Sequence, residues 1–475
     1  MNKYDYNVIV IGGGSAGLVS AYIAAAVKAK VALIEKNKMG GDCLNNGCVP
    51  SKALIRSAKM LSYAKRAKEF GFKKNDIEFE FQDVMKRVHD VIKKIEPHDS
   101  VDRYSKLGVD CYSGNAKITS PHEVEINGTK LTTRSIIVAT GAEPLVPPIP
   151  GLETIDYLTS ENLWELKQLP KRILVLGGGP IGSEISQTFS RLGSTVTQVE
   201  MAPQILTRED EDVIKLVTNQ FIKEGINVLT NHKAIRFNKN NLICSNEGKE
   251  VSLPFDKVVI ALGRKARISG FGLEELNIEI RKTKTVEANS FLQTNIPSIY
   301  VCGDVTGPYQ FTHVAAHQAW FASVNALFSP FKKFKVDYRI IPWATFTDPE
   351  VARVGLNEKE AKEQNIPHEV TKYNIDDLDR AIADSEARGF VKILTKPKKD
   401  KILGVTIVGT HAGDLIAEYI LAMKNNIGLN KILNTIHIYP TLTEANKYAA
   451  GEWKRAHLSK FVMVFLKKFN QWMRS

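Results

Sequence analysis

The sequence predicts an α/β chain made of two similar strand–turn–helix units followed by an α+β region, and three observations carry that prediction. A wholly apolar strand runs into a glycine triad twice, at Gly12-Gly13-Gly14 and at Gly177-Gly178-Gly179, 165 residues apart. Each triad opens a helix and is followed by a second strand that ends in an acid. From about Ile340 the texture changes, with further strands such as Phe390-Val391-Lys392-Ile393-Leu394. A chain of 475 residues is also too long for one core and suggests about three domains.

The first unit begins with Val8-Ile9-Val10-Ile11, the continuous apolar run of a strand buried on both faces. In Gly12-Gly13-Gly14-Ser15-Ala16-Gly17, Gly12 makes the tight turn and Gly14 lets a pyrophosphate approach the backbone. Gly17 lets the helix pack on the strand. The next strand, Val31-Ala32-Leu33-Ile34, ends in Glu35, placed to accept from a ribose hydroxyl. In the second unit Ile173-Leu174-Val175-Leu176 leads into Gly177, Gly179 and Gly182, and its second strand ends at Glu200. Two such units imply two dinucleotides. Glu200 would bond a 2′-hydroxyl and repel a 2′-phosphate, which favours NADH over NADPH.

Between the units lies Gly41-Asp42-Cys43-Leu44-Asn45-Asn46-Gly47-Cys48-Val49-Pro50-Ser51-Lys52. A disulfide between Cys43 and Cys48 would close a very small ring, which removes little loop entropy and makes a poor staple but a good redox switch. The start of a helix lowers thiol pKa and favours the exchanging thiolate. The remaining cysteines, Cys111, Cys244 and Cys302, fall in strand-like or loop contexts and read as inert.

This stretch resembles the redox-active motif of the flavin-dependent pyridine nucleotide-disulfide oxidoreductases, and Pro50-Ser51-Lys52-Ala53-Leu54 is most similar to the dihydrolipoamide dehydrogenase and mercuric reductase branches. Asp42 stands where those branches usually carry threonine, and an acid there is expected to raise the Cys43 pKa. The resemblance implies FAD in the first unit and the nicotinamide in the second. It implies domains at 1–150 with 273–339 (FAD), 151–272 (NAD) and 340–450 (dimerisation), hence a homodimer. Segments ending at Thr140-Gly141 and at Gly263-Arg264 are similar to the family's crossings between nucleotide domains. Asp304 resembles the aspartate that bonds the ribityl chain, and Thr312 opens a helix whose N-terminus faces the flavin in the family. Lys52, one turn after Cys48, would pair with Glu184 near flavin N5, with Cys48 the flavin-proximal thiolate and Cys43 the interchange thiol.

The family's acid–base position breaks the pattern. Where its members carry His-Pro, the sequence is His437-Ile438-Tyr439-Pro440-Thr441-Leu442-Thr443-Glu444. Aligned on Pro440 and Glu444, the catalytic position is Tyr439, whose reference pKa of about 10 makes it a poor base at neutral pH. His437 is the alternative. Mercuric reductase resembles this chain in that tyrosine, but no cysteine follows Cys302, so its paired C-terminal cysteines are missing and no resident metal is expected.

The net charge of +12 comes from lysines scattered along the chain, which reads as solvated surface rather than a nucleic-acid site. With no leader pattern and no spanning apolar run, a cytoplasmic location is expected. Residues 451–475 read as a basic amphipathic helix, with Phe461, Phe465 and Trp472 opposite Lys460, Lys467 and Arg474. An anionic membrane surface is its expected partner and packing on the protein's own dimer the alternative. The function expected is an FAD- and NADH-dependent disulfide oxidoreductase acting on a substrate such as dihydrolipoamide. The rival readings are a metal-ion or quinone reductase, a membrane-surface NADH dehydrogenase and a redox-sensing binding protein.

Overall fold

The computed structural model describes residues 3–73, 77–329 and 331–474. In strand Tyr6–Ile11 the last four residues are all buried, as a strand covered on both faces requires. It lies between strands Val31–Glu35 and Thr129–Val138, parallel to both. Val109–Ser113 and Ile299–Val301 extend the parallel sheet on either side. Alternate side chains serve opposite layers. Val8 and Val10 pack with Ala21, Ala24, Ala319 and Ala322, the small residues that let helices Ser15–Ala26 and Thr312–Phe328 approach each other closely. Ile9 and Ile11 face the other way, onto Ile118, Val124 and Val286. Burying an isoleucine contributes about 1.5–3 kcal/mol, so this two-sided strand is a main source of stability.

The second unit repeats the plan. Strand Arg172–Leu176 is parallel to Thr195–Val199 and to Lys257–Ile260, and helix Pro180–Leu192 follows its glycine turn. A three-stranded antiparallel meander, 233–254, stands beside it. Strands Ala142–Pro144 and Arg264–Ala266 pair antiparallel, so the two segments read as crossings meet each other directly.

Close contacts divide the chain into two compact units: Met1–Ala64, Asp76–Met201 and Asn231–Asp337 form one, and Lys65–Asn75, Ala202–Thr230 and Tyr338–Ser475 the other. The expected NAD domain at 151–272 is therefore cut, with Ala202–Thr230 going to the second unit. Polar bonds explain the cut: Trp343 Nε1 donates to Glu209 at 3.0 Å, and the buried Lys392 ammonium lies 2.7 Å from both Asp210 and Asp212.

In the second unit five antiparallel strands run in the order Pro342–Thr345, Glu350–Gly355, Ile402–Gly409, Phe390–Thr395, Glu369–Asn374. Helix Glu444–Ala456 turns Ala445, Ala449 and Trp453, spaced by one turn, into the core that Ile393 and Val405 share. This corrects the expected tail helix. Trp453 is core, its ring stacked 4.3 Å from His457, and a separate helix, Lys460–Trp472, follows a short break. Ser475 lies outside the described residues.

Candidate active site

The redox segment is held by backbone before any side chain acts. Gly40 and Gly41 take φ of +88° and +54°, a region that favours glycine. A Cβ on Gly41 would lie 2.6 Å from Gly14 Cα, so the cysteine segment rests directly on the first glycine turn. Short helix Gly41–Asn45 carries Cys43, and Cys48 starts helix Cys48–Lys65. Between them the Asn46 carbonyl accepts the Trp164 indole N–H at 2.8 Å, and the same N–H bonds Ser160 O at 2.8 Å. Trp164, which also lines the cavity, is a residue that sequence reasoning did not single out. Its one visible signal is that a buried indole must find an acceptor.

The two thiols are free and hydrogen-bonded to one another, and they are driven apart electrostatically. Cys48 is lowered to about 6, first by the hydrogen bond from Cys43, then by the Thr312 hydroxyl and the Lys52 ammonium, against burial and Glu184. Cys43 is raised, first by its bond to Cys48 and then by burial. Thr312 Oγ1 lies 3.3 Å from Cys48 Sγ, at the first turn of its 17-residue helix. Lys52 Nζ donates to Glu184 Oε2 at 2.8 Å, which keeps that cation beside the thiolate. Cys48 is thus the thiolate and Cys43 the protonated partner. Burial raises Cys111, pushes Cys244 up to about 11 and Cys302 up to about 12, so these three are poor nucleophiles at neutral pH.

Asp42 does something other than expected. Its carboxylate is ion-paired with Arg264, whose guanidinium also donates to Ala142 O at 2.9 Å and lies 3.6 Å from Asp304. That pairing offsets the Asp42 charge, and the main causes of the raised Cys43 pKa are its bond to Cys48 and burial. Arg264 was legible only as the end of a crossing. Burial raises Asp304, with Arg264 working against the shift.

These groups line a cavity of about 980 Å³, with Gly12, Gly14, Ser15, Glu35, Thr140, Gly141, Asp304 and Thr312 on its wall beside Cys43, Cys48, Lys52 and Glu184. The residues fit FAD. A Cβ at Gly14 would meet only Gly41 Cα, at an ordinary 3.8 Å, so the bare backbone there leaves room for a group from outside the chain. The Arg264 Nε is buried on this wall and makes no hydrogen bond among the described residues, its near carboxylate being Asp304 at 3.6 Å. At Gly179 a Cβ would meet nothing within 4 Å, so the second turn offers the same opening, flanked by Gly177, Gly182 and Glu200. Gly263, at φ +114°, turns the chain into the crossing strand.

In the second unit His437, the alternative to Tyr439 at the acid–base position, is held by its neighbours. Its Nε2 lies 3.0 Å from Glu418 Oε1 and its Nδ1 lies 3.0 Å from Thr435 O, so both ring nitrogens are engaged. Tyr439 is exposed, and its hydroxyl donates to Asp379 at 2.9 Å. That bond raises its pKa above the usual tyrosine value, making it a still poorer base. Glu444 accepts from the Thr441 N–H at 3.1 Å and the Tyr448 hydroxyl at 3.2 Å.

A family model described as pyridine nucleotide-disulphide oxidoreductase matches residues 6–319, and one described as that family's dimerisation domain matches residues 341–450. Dihydrolipoyl dehydrogenase of Chlamydia pneumoniae is 36% identical over 448 residues, covering 93% of this chain and 95% of that protein. Mercuric reductase of Bacillus cereus is 33% identical over 451 residues, covering 94% and 71%. Among solved structures, the HOCl-induced flavoprotein disulfide reductase RclA from Escherichia coli matches with a TM-score of 0.83 at 25% identity, over 94% of this chain and 99% of that one. The Cu(II) complex of RclA matches at 0.82 and 26%, over 93% and 98%.

Proposed function

The chain belongs to the pyridine nucleotide-disulphide oxidoreductase family, and from that premise we propose that it carries two electrons from NADH, by way of FAD, to the Cys43–Cys48 pair and on to a disulfide substrate such as lipoamide, whose reduced partner dihydrolipoamide would run the same steps in reverse. One observation carries the reading: two adjacent thiols on the cavity wall, one lowered to about 6 and the other held protonated.

FAD, when bound, supplies the hydride-accepting ring between the nicotinamide and the cysteines. The chain does the rest. Gly14, Ser15, Glu35 and Asp304 would hold FAD, while Gly179 and Glu200 would hold the nicotinamide nucleotide. Lys52 and Thr312 stabilise the charge on Cys48 Sγ. Cys43 gives up its proton and attacks one sulfur of the acceptor disulfide. That bond breaks, and one substrate thiolate leaves and takes a proton. Cys48 Sγ then attacks Cys43 Sγ, which frees the second substrate thiol and restores the disulfide. The sum is NADH, one proton and a disulfide giving NAD⁺ and two thiols. The dimerisation domain makes the working molecule a homodimer.

A second reading rests on Tyr439. With no imidazole poised, the proton leaving Cys43 has no good acceptor, and a positioned acid–base contributes ~10²–10⁴-fold. A soft metal ion displaces the Cys43 proton as it binds and leaves no substrate thiolate to be protonated, and relatives named mercuric reductase and the Cu(II) complex of RclA support that reading. An NADH-oxidation screen of the purified flavoprotein separates the two, with lipoamide, glutathione disulfide, quinones, Cu(II) and Hg(II) as acceptors. On the first reading lipoamide is reduced slowly, and Tyr439→His raises its rate by about 10²-fold. Fast metal-ion reduction with a lipoamide rate that Tyr439→His leaves unchanged establishes the second. A wild type that turns over none of these acceptors leaves the redox-sensing role.

A further inference from the structure

Helix Lys460–Trp472 lies outside the residues matched by the dimerisation domain, and every one of its residues is exposed. Its aromatic side chains cluster, while Met463 falls opposite them and Lys468 at their edge. At 100° per residue Phe461, Phe465, Phe469 and Trp472 fall on one arc, and Lys460, Lys467, Gln471 and Arg474 fall opposite. The rings on that arc remain in water: Phe461 is 80% exposed, Phe465 59% and Trp472 69%. A contiguous apolar face of this kind marks an interaction surface.

Charge and length decide what covers it. After Glu452 the sequence holds Lys454, Arg455, Lys460, Lys467, Lys468 and Arg474 and no acidic residue. The first turn of the helix also lacks an acid, so its own dipole is uncompensated and an anion is favoured there. Thirteen residues span about 20 Å, long enough to lie along an interface. No helix among the described residues is long and apolar enough to cross a membrane. An isolated helix of this length is marginal in water, so its surface must help order it. The preceding helix is already satisfied, since Trp453 is packed in the core of its own unit.

We propose that helix Lys460–Trp472 docks in the plane of an anionic lipid surface, with its aromatic arc in the acyl boundary and its lysines among the headgroups. This makes the enzyme a peripheral membrane protein. The inference is independent of which acceptor the cysteines reduce.

The test is flotation of the full-length flavoprotein with vesicles of phosphatidylcholine alone or with 30% phosphatidylglycerol, alongside amide hydrogen exchange. Binding should require the anionic lipid and weaken at 0.5 M salt. Residues 460–472 should gain protection. Lys467→Glu with Lys468→Glu should lower the partition coefficient by about 30-fold or more. Phe465→Ser with Phe469→Ser should abolish binding while flavin absorbance and NADH oxidation stay at wild-type levels. Absence of flotation by the wild type, or equal flotation with both lipids, overturns the proposal. So does a shift from dimer to monomer in light scattering when the chain is cut after His457 with vesicle binding unchanged, because the face would then be covered by a second copy.

Discussion

The two glycine turns are nearly the same object. Gly12 and Gly177 take φ of +107° and +121°, and a Cβ on either would strike a carbonyl of the neighbouring strand end, Ala139 O at 2.4 Å or Ala261 O at 2.3 Å. A Cβ on Gly17 would lie 1.7 Å from Gly12 O, and one on Gly182 would lie 2.1 Å from Gly177 O. In each turn the terminal acid of the second strand accepts the N–H of the middle glycine: Glu35 from Gly13 at 2.5 Å, Glu200 from Gly178 at 2.7 Å. The difference lies behind the third glycine. Gly14 is backed by Gly41 and the redox segment, while nothing in the chain stands within 4 Å of a Cβ at Gly179. The same turn chemistry therefore faces the redox wall in one place and open space in the other.

The sharpest way to break that comparison is Gly41→Ala. Its Cβ clashes with Gly14 Cα and its φ is strained, so only the first turn is disturbed. The purified variant should lose most of its bound FAD, read from its absorbance, and about 1–3 kcal/mol of stability in a urea melt. Full flavin occupancy at wild-type stability would show that the two turns are independent of the redox segment. Glu200→Gln comes next. It removes the charge facing a 2′-phosphate and should narrow the NADH-over-NADPH ratio of kcat/KM by about 10–100-fold, with FAD content unchanged. A wild type that prefers NADPH contradicts the assigned role of Glu200.

Lys52→Met has a smaller effect, on the thiolate alone. Because the Cys48 pKa is lowered to about 6, its alkylation by iodoacetamide should rise through that pH and level off above it. Loss of the cation beside Glu184 moves the midpoint up by about 1–2 units, so labelling at pH 7 should slow about two- to tenfold by mass spectrometry. An unmoved midpoint would remove Lys52 from the site. Trp164→Phe should do least. It deletes one indole donor worth about 0.5–1.5 kcal/mol. The Cys48 midpoint should shift by less than about a unit, whereas Trp164→Ala, which also opens a void, should cost about 3–5 kcal/mol.

Much of this site was legible because it is written in local terms. Glycines at 12, 14 and 17 have few other uses at that spacing, an acid at the end of the next strand follows from βαβ geometry, and Lys52 shares a helix face with Cys48 through the 3.6-residue period. The misreadings concern partners far away in sequence. Asp42 sits beside Cys43 in the chain, yet its charge is taken by Arg264, 222 residues on. Trp453 looked like part of an exposed tail until it was found in the core.

The sequence by itself determined the α/β repeat, both glycine turns with their acids, the redox cysteines and the missing histidine at Tyr439, because each follows from residue type and short-range spacing. Only the tertiary structure decided which thiol holds the proton, what offsets the Asp42 charge, what pins the Asn46 carbonyl and which aromatic rings are left in water. Those outcomes depend on burial and on Coulomb and hydrogen-bond contacts a few ångströms long, and such contacts join residues that the chain itself keeps 118 or 222 positions apart.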